Sequence, residues 1–188
     1  MKTNAGGLKK GDFVSYQDSI WHIQKAEFYS PGKGSALMKT RLKNVMTGKT
    51  VDYAFKSNES VETLDVQSLE MQYLYKDTEL MYFMDERTYN QYTLPVTIVG
   101  TMVNFFKEGN KYFVYLYNEK ALTVRPPLSV HLKVVSTEDS AKGDTVSGAK
   151  KSAVVETGVT VMVPLFVKQG ETIVVNPETG QYVERAKS

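Results

Sequence analysis

The stretch Ala26-Glu27-Phe28-Tyr29-Ser30-Pro31-Gly32-Lys33-Gly34-Ser35-Ala36-Leu37-Met38 reads as two strand ends joined by a tight tip. Pro31 sets its own φ, and Gly32 and Gly34 accept backbone angles that other residues avoid, so the chain can reverse here within a few residues. Lys33 is then carried at the tip between small neighbours. Its amine, on a long flexible stem, is a mobile positive charge and a target for covalent modification. Alone, the stretch reads first as a solvated hairpin turn, and its surroundings decide whether it is also a site.

Outward from the tip, both sides read as strands. Upstream, Asp12-Phe13-Val14-Ser15-Tyr16 passes through Gln17-Asp18-Ser19 into Ile20-Trp21-His22-Ile23. Downstream, a return strand covers residues 36–45, and Met46-Thr47-Gly48-Lys49 turns the chain into Thr50-Val51-Asp52-Tyr53-Ala54-Phe55. Short β-branched and aromatic runs with no room for crossover helices predict a small barrel. On the return strand Lys39, Arg41 and Lys43 fall at spacing two, which puts them on one face with Met38, Thr40 and Leu42 on the other. Such a row serves equally as an ordinary soluble strand face or as a rail for the phosphates of a polyanion.

Two further units follow. The polar run Ser57-Asn58-Glu59-Ser60 places a boundary near Leu64, giving domains 1–64, 65–127 and 128–188. The central unit shows a hairpin, Gln72-Tyr73-Leu74-Tyr75 and Leu80-Met81-Tyr82-Phe83-Met84 about a turn at Lys76-Asp77-Thr78. A short helix is expected over 99–106, then strands over 111–117 and 122–124. Five strands with a helix between the third and fourth is the order of an OB-fold. Its aromatic residues are read as core, with a base-stacking platform as the other use. Pro126-Pro127 marks a junction. The third unit reads as strands over 130–135, 159–164, 165–167, 172–175 and 181–185, with residues 136–152 as a long polar loop containing Gly143, Asp144 and Thr145.

Composition removes several classes of function. With 41% hydrophobic and 23% charged residues the chain is globular rather than disordered. It has no cysteine, hence no disulfide or thiolate metal site. No signal-peptide core is visible, and no apolar run approaches the roughly 20 residues of a membrane span, so a cytoplasmic protein without membrane contact is expected. His22 and His131 stand far apart in strands without metal-ligand spacing. Asp85 and Glu86 read as a solvated turn, and Gly32-Lys33-Gly34 lacks the spacing of a phosphate-binding loop. No catalytic set, metal or cofactor is predicted. What remains is recognition by three β modules.

The run Lys151-x-Ala153-x4-Gly158-x2-Val161-x-Val163-Pro164-x2-Val167-x2-Gly170 resembles the signature of bacterial translation elongation factor P. The resemblance extends along the chain through Pro31-Gly32-Lys33-Gly34, Asn44-x-x-Thr47-Gly48, Phe55-Lys56-Ser57, Tyr73-Leu74-Tyr75, Pro126-Pro127, Gly143-Asp144-Thr145 and Gly180-x-Tyr182-x-x-Arg185. It implies an all-β chain of three small barrels in a row, an SH3-like (KOW-type) domain followed by two OB domains. It also implies a monomer that binds the 70S ribosome between the P and E sites and relieves stalling at consecutive prolines. By position, Lys33 would be the lysine extended by a modifying enzyme and aimed at the CCA end of the P-site peptidyl-tRNA, with Pro31, Gly32 and Gly34 shaping its loop. Lys39, Arg41, Lys43 and Lys56 are expected to meet tRNA or rRNA. Gly143, Asp144 and Thr145 would lie near the exit-site codon, and Tyr182 and Arg185 would contact tRNA and the small subunit. Ser30 departs from the lysine common at its place, which bears on which enzyme reads the loop. A general binder of single-stranded nucleic acid is the alternative reading of the OB barrels.

Overall fold

The computed structural model describes residues 1–138 and 149–186. These form three antiparallel sheets. The first holds β1 (Lys2–Asn4), β2 (Phe13–Tyr16), β3 (Ser19–Tyr29), β4 (Leu37–Asn44), β5 (Thr50–Lys56) and β6 (Ser60–Leu64), in the order β1-β6-β2-β3-β4-β5. Its core gathers Val14, Trp21, Ile23, Leu42 and Phe55. The alternation expected along β4 holds: Met38, Thr40 and Leu42 are buried, while Lys39 and Arg41 are exposed and Lys43 is half-buried. The upstream side of the tip is one eleven-residue strand with an irregularity between Ile23 and Lys25, not two strands. The polar run before Leu64 gives way to β6 at Ser60. Little in it reads as strand, because its pairing with β1 and β2 is long-range and only Val61 is fully buried.

The second sheet holds β7 (Gln67–Lys76), β8 (Leu80–Met84), β9 (Gln91–Pro95), β10 (Lys111–Tyr117) and β11 (Lys120–Val124), in the order β11-β10-β7-β8-β9. β11 runs beside β9, which nearly closes the barrel. Between the third and fourth strands the chain is helical, as an OB-fold requires. The helix expected over 99–106 instead begins at Val96. A single α turn, Val96–Val99, ends where Gly100 takes φ +68°, and Gly100–Phe105 continues as a 3₁₀ segment. β-Branched Val96, Thr97, Ile98 and Val99 sustain a long α-helix poorly, so burial of Ile98, Val99, Met102, Val103 and Phe105 holds the segment instead. The aromatic residues differ in burial. Tyr73 and Phe83 are core, whereas Tyr75 is half exposed and stacked 4.4 Å from Tyr82.

The third sheet holds β12 (Val130–Thr137), β13 (Lys150–Val155), β14 (Thr160–Pro164), β15 (Thr172–Asn176) and β16 (Gln181–Arg185), in the order β14-β13-β12-β15-β16. In both five-stranded sheets the first strand pairs with the second and the fourth, so the two barrels share one topology. Two readings change here. Leu165-Phe166-Val167 is a turn with Val167 buried, not a strand. The strand lost there is recovered as β13, part of which was assigned to the polar loop. Adjacent Lys150 and Lys151 disguised it: Lys151, Ala153 and Val155 alternate inward, and the Lys151 ammonium donates to the Glu138 carbonyl at 3.0 Å.

The barrels meet at packed seams. Phe13, Val45 and Leu122 form a buried cluster between the first and second, flanked by Ile20, Leu64, Tyr115 and Tyr117. Phe105, at the end of the 3₁₀ segment, packs into the core of the third barrel. Beside it the Lys107 ammonium meets the Glu156 carboxylate at 3.0 Å. Burial pushes the Glu156 carboxyl up, but the Lys133 amide and the Lys107 ammonium outweigh it and leave it below its ordinary range.

Candidate functional site

Lys33 sits on an exposed tip, residues 30–35, beyond the last pairs of the β3–β4 ribbon, Tyr29 opposite Leu37 and Phe28 opposite Met38. Among the described residues Lys33 takes part in no ion pair or side-chain hydrogen bond. The two glycines beside it differ. Gly34 takes φ +111°, where an L side chain is strained, whereas Gly32 is outside the left-handed region and has open space around a built Cβ. Pro31 is half-buried, and its ring lies 4.0 Å from the Cβ position of Gly34. The tip is therefore shaped by Pro31 and Gly34, and Gly32 leaves room on one side of the lysine.

Behind the tip the cross-strand register collects one face. Leu37 opposes Lys56, Lys39 opposes Ala54 and Glu27, and Arg41 opposes Asp52 and Lys25. The three residues expected on this rail, Lys39, Arg41 and Lys43, fall on this side of the sheet, and the register brings Lys56 to the same side. They are not equally available. Arg41 holds Asp52 in a two-point pair, Nε to Oδ1 at 2.8 Å and Nη2 to Oδ2 at 3.0 Å. That pair raises the guanidinium and lowers the carboxyl relative to their ordinary values. Lys25 meets Glu27 at 3.1 Å. The Lys39 ammonium lies 4.0 Å over the Tyr29 ring, at the foot of the tip. A shallow groove of about 370 Å³ runs between them, lined by Lys25, Lys39, Arg41, Asp52 and Tyr53. The rail thus offers Lys39, Lys43 and Lys56 as cations without a carboxylate partner among the described residues, and Arg41 as a stiffener.

Sequence reasoning passed over Asp52 and Tyr29. Asp52 was findable, since counting outward from the Asn44–Lys49 backbone bond lands it opposite Arg41. Tyr29 carried no signal beyond its place before the tip.

Tyr182 and Arg185 lie on β16, in a sheet separate from that of the tip. Tyr182 is half-buried against the third core, and burial raises its phenol. Arg185 pairs with Glu171 at 3.2 Å. Both line a cavity of about 910 Å³ that also exposes Phe166. Gly143, Asp144 and Thr145 lie outside the described residues. His22 stacks on Phe13 at 4.5 Å in the seam of the first two barrels, and His131 is exposed. Among the described residues no group of three or more His, Asp or Glu is placed to hold a metal, and no helix is long and apolar enough to cross a membrane.

The chain matches three family models in succession: the elongation factor P KOW-like domain over residues 4–61, the elongation factor P OB domain over 66–124, and the elongation factor P C-terminal domain over 130–185. A protein of Magnetococcus marinus named elongation factor P is 43% identical over 180 residues, 96% of either chain. One of Caldanaerobacter subterraneus with the same name is 40% identical over 96% of this chain and 98% of its own. Among solved structures, translation initiation factor 5A from Methanococcus jannaschii superimposes with a TM-score of 0.52 at 18% identity, over 66% of this chain and 92% of its own, a likeness of fold.

Proposed function

Since the chain belongs to the elongation factor P family, and so is a translation elongation factor rather than an enzyme, we propose that it acts on the ribosome by presenting Lys33 to the CCA end of the P-site peptidyl-tRNA. The observation that carries this reading is the tip itself, an exposed lysine with no partner among the described residues, on a ribbon braced by the Arg41–Asp52 pair and the Lys39–Tyr29 contact. Lys39, Lys43 and Lys56 lie along the same face, where phosphates following the ribbon would meet them.

The mechanism is positioning. Proline is a constrained secondary-amine nucleophile and stiffens the nascent chain, so the peptidyl end is poorly placed for attack. A cation held beside the CCA backbone restricts that end and recovers orientation, a contribution to rate that needs no new chemistry. A modifying enzyme that lengthens the Lys33 amine would extend its reach, and the open side left by Gly32 admits that enzyme or the tRNA.

Lys33→Ala is expected to leave the fold intact and to slow ribosome transit through Pro-Pro-Pro reporters. Unchanged transit in that variant overturns the reading. Weak binding of free oligonucleotides by the unaltered chain separates it from a general binder of single strands, and peptide mass across residues 28–39 reports whether Lys33 is extended.

A further inference from the structure

Among the described residues one turn recurs in each of the three barrels. In residues 44–49, Asn44 Oδ1 accepts the Met46 and Thr47 amides, both at 2.9 Å, and the Gly48 amide donates to the Asn44 carbonyl. In residues 176–181, Asn176 Oδ1 accepts the amides of Glu178 and Thr179, and the Gly180 amide donates to the Asn176 carbonyl. In residues 85–90, Asp85 Oδ1 accepts the Arg87 amide, Oδ2 accepts the Thr88 hydroxyl, and the Tyr89 amide donates to the Asp85 carbonyl at 2.7 Å. The fifth residue is left-handed in all three: Gly48 at +70°, Gly180 at +68°, Tyr89 at +59°.

What each turn meets differs. Gly48 faces the Ile98 carbonyl, with its Cβ position 4.0 Å away, and Gly180 faces the Phe105 ring at 3.3 Å. Both are seated on the helical segment of the central barrel. The central barrel's own turn is tied by Glu86 to Lys111 of the same barrel, and the slot that suits glycine holds Tyr89, 74% exposed. A tyrosine there keeps an unfavourable backbone while most of its surface faces solvent.

The charge around Tyr89 selects its partner. The Asp85 carboxylate is occupied inside the turn and Glu86 is paired with Lys111. Arg87 has no carboxylate partner among the described residues. The exposed neighbours Thr88, Asn90 and Gln91 are polar, unlike the apolar surround of a protein–protein anchor. An aromatic ring beside an uncompensated guanidinium matches a stacked base with its phosphate. We propose that the turn at 85–90 is an RNA contact, in which Tyr89 stacks on an unpaired base and Arg87 meets the adjoining phosphate. This rests on the ribosome being the partner, as proposed above.

The test compares the full chain with Tyr89→Gly and Tyr89→Trp in binding to purified ribosomes, alongside thermal unfolding. Tyr89→Gly relieves the backbone and is expected to melt at an equal or higher temperature, yet to bind about tenfold more weakly. Tyr89→Trp is expected to bind as the unaltered chain does. Tyr89→p-azidophenylalanine, irradiated on the ribosome, is expected to yield an RNA adduct. Binding by Tyr89→Gly within twofold of the unaltered chain, or an adduct with a ribosomal protein, overturns the proposal while leaving the role of Lys33 untouched. Failure of the unaltered chain to bind ribosomes overturns both.

Discussion

The two ends of β4 are both glycine-bearing turns, yet they have opposite fates. At one end the Asn44 side chain stitches its turn together, Val45 is buried in the seam and Gly48 faces the Ile98 carbonyl. At the other, residues 30 and 32–35 are exposed and Gly32 has nothing within 4 Å of its Cβ position. A glycine in a turn therefore says little by itself. What distinguishes a joint from a presenting tip is whether a side chain caps the turn and whether a neighbouring barrel covers it. β4 is consequently held at one end and free at the other, and eight residues of strand separate the two, about 26 Å of paired backbone.

The sharpest way to break this contrast is at the held end. Asn44→Ala deprives two turn amides of their acceptor in a site that is nearly buried, which is expected to cost about 1–2 kcal/mol. The only tryptophan, Trp21, lies in the same barrel, so its fluorescence follows the loss during thermal unfolding. An unchanged Trp21 transition would show that the stitching is dispensable.

A smaller effect is expected from His22, which pairs across from Lys43 in the same seam. Burial, with the nearby charges of Lys43 and Lys10, lowers its imidazole below the ordinary 6.5. The unfolded chain then takes up the proton first as pH falls. The stability His22 permits is present in full above about 6.5 and declines below it, until the folded histidine is protonated too. His22→Phe keeps an aromatic ring on Phe13 and should remove that slope. Equal slopes in both proteins count against the assignment.

At the free end the expected stability change is nil. Gly32→Ala needs no left-handed φ and meets no neighbour, so the Trp21 transition should stay where it is. Any slowing of Pro-Pro-Pro transit in that variant then reports a partner approaching the lysine. A clear drop in melting temperature would mean that the tip is packed after all.

Much of this was legible in the sequence, for a physical reason. β4 could be read because its period-two pattern is local, and the core face and the rail follow from alternation alone. β6 and β13 were hidden because their strand character comes from distant partners and because Lys151 buries its stem while its amine finds the Glu138 carbonyl. The helical segment was displaced by three residues because Val96 to Val99 are poor helix formers, held in place by packing that no local propensity reports. At the site, the lysines were found by spacing, but their availability was not. Which cation is neutralised depends on which carboxylate the fold brings beside it, Asp52 across the strands for Arg41 and Glu27, two residues along the same strand, for Lys25.

The seating of Gly48 against Ile98 also orders events during synthesis. The first sheet is complete once Leu64 has emerged, but the carbonyl that Gly48 faces belongs to a residue made roughly 30 positions later, which at about 5–20 residues per second is a delay of a few seconds. Val45 and Phe13 wait longer on the nascent barrel, until Leu122 is made to complete their cluster. The same ribosome that the finished protein is proposed to serve therefore holds it for a time with its first joint open.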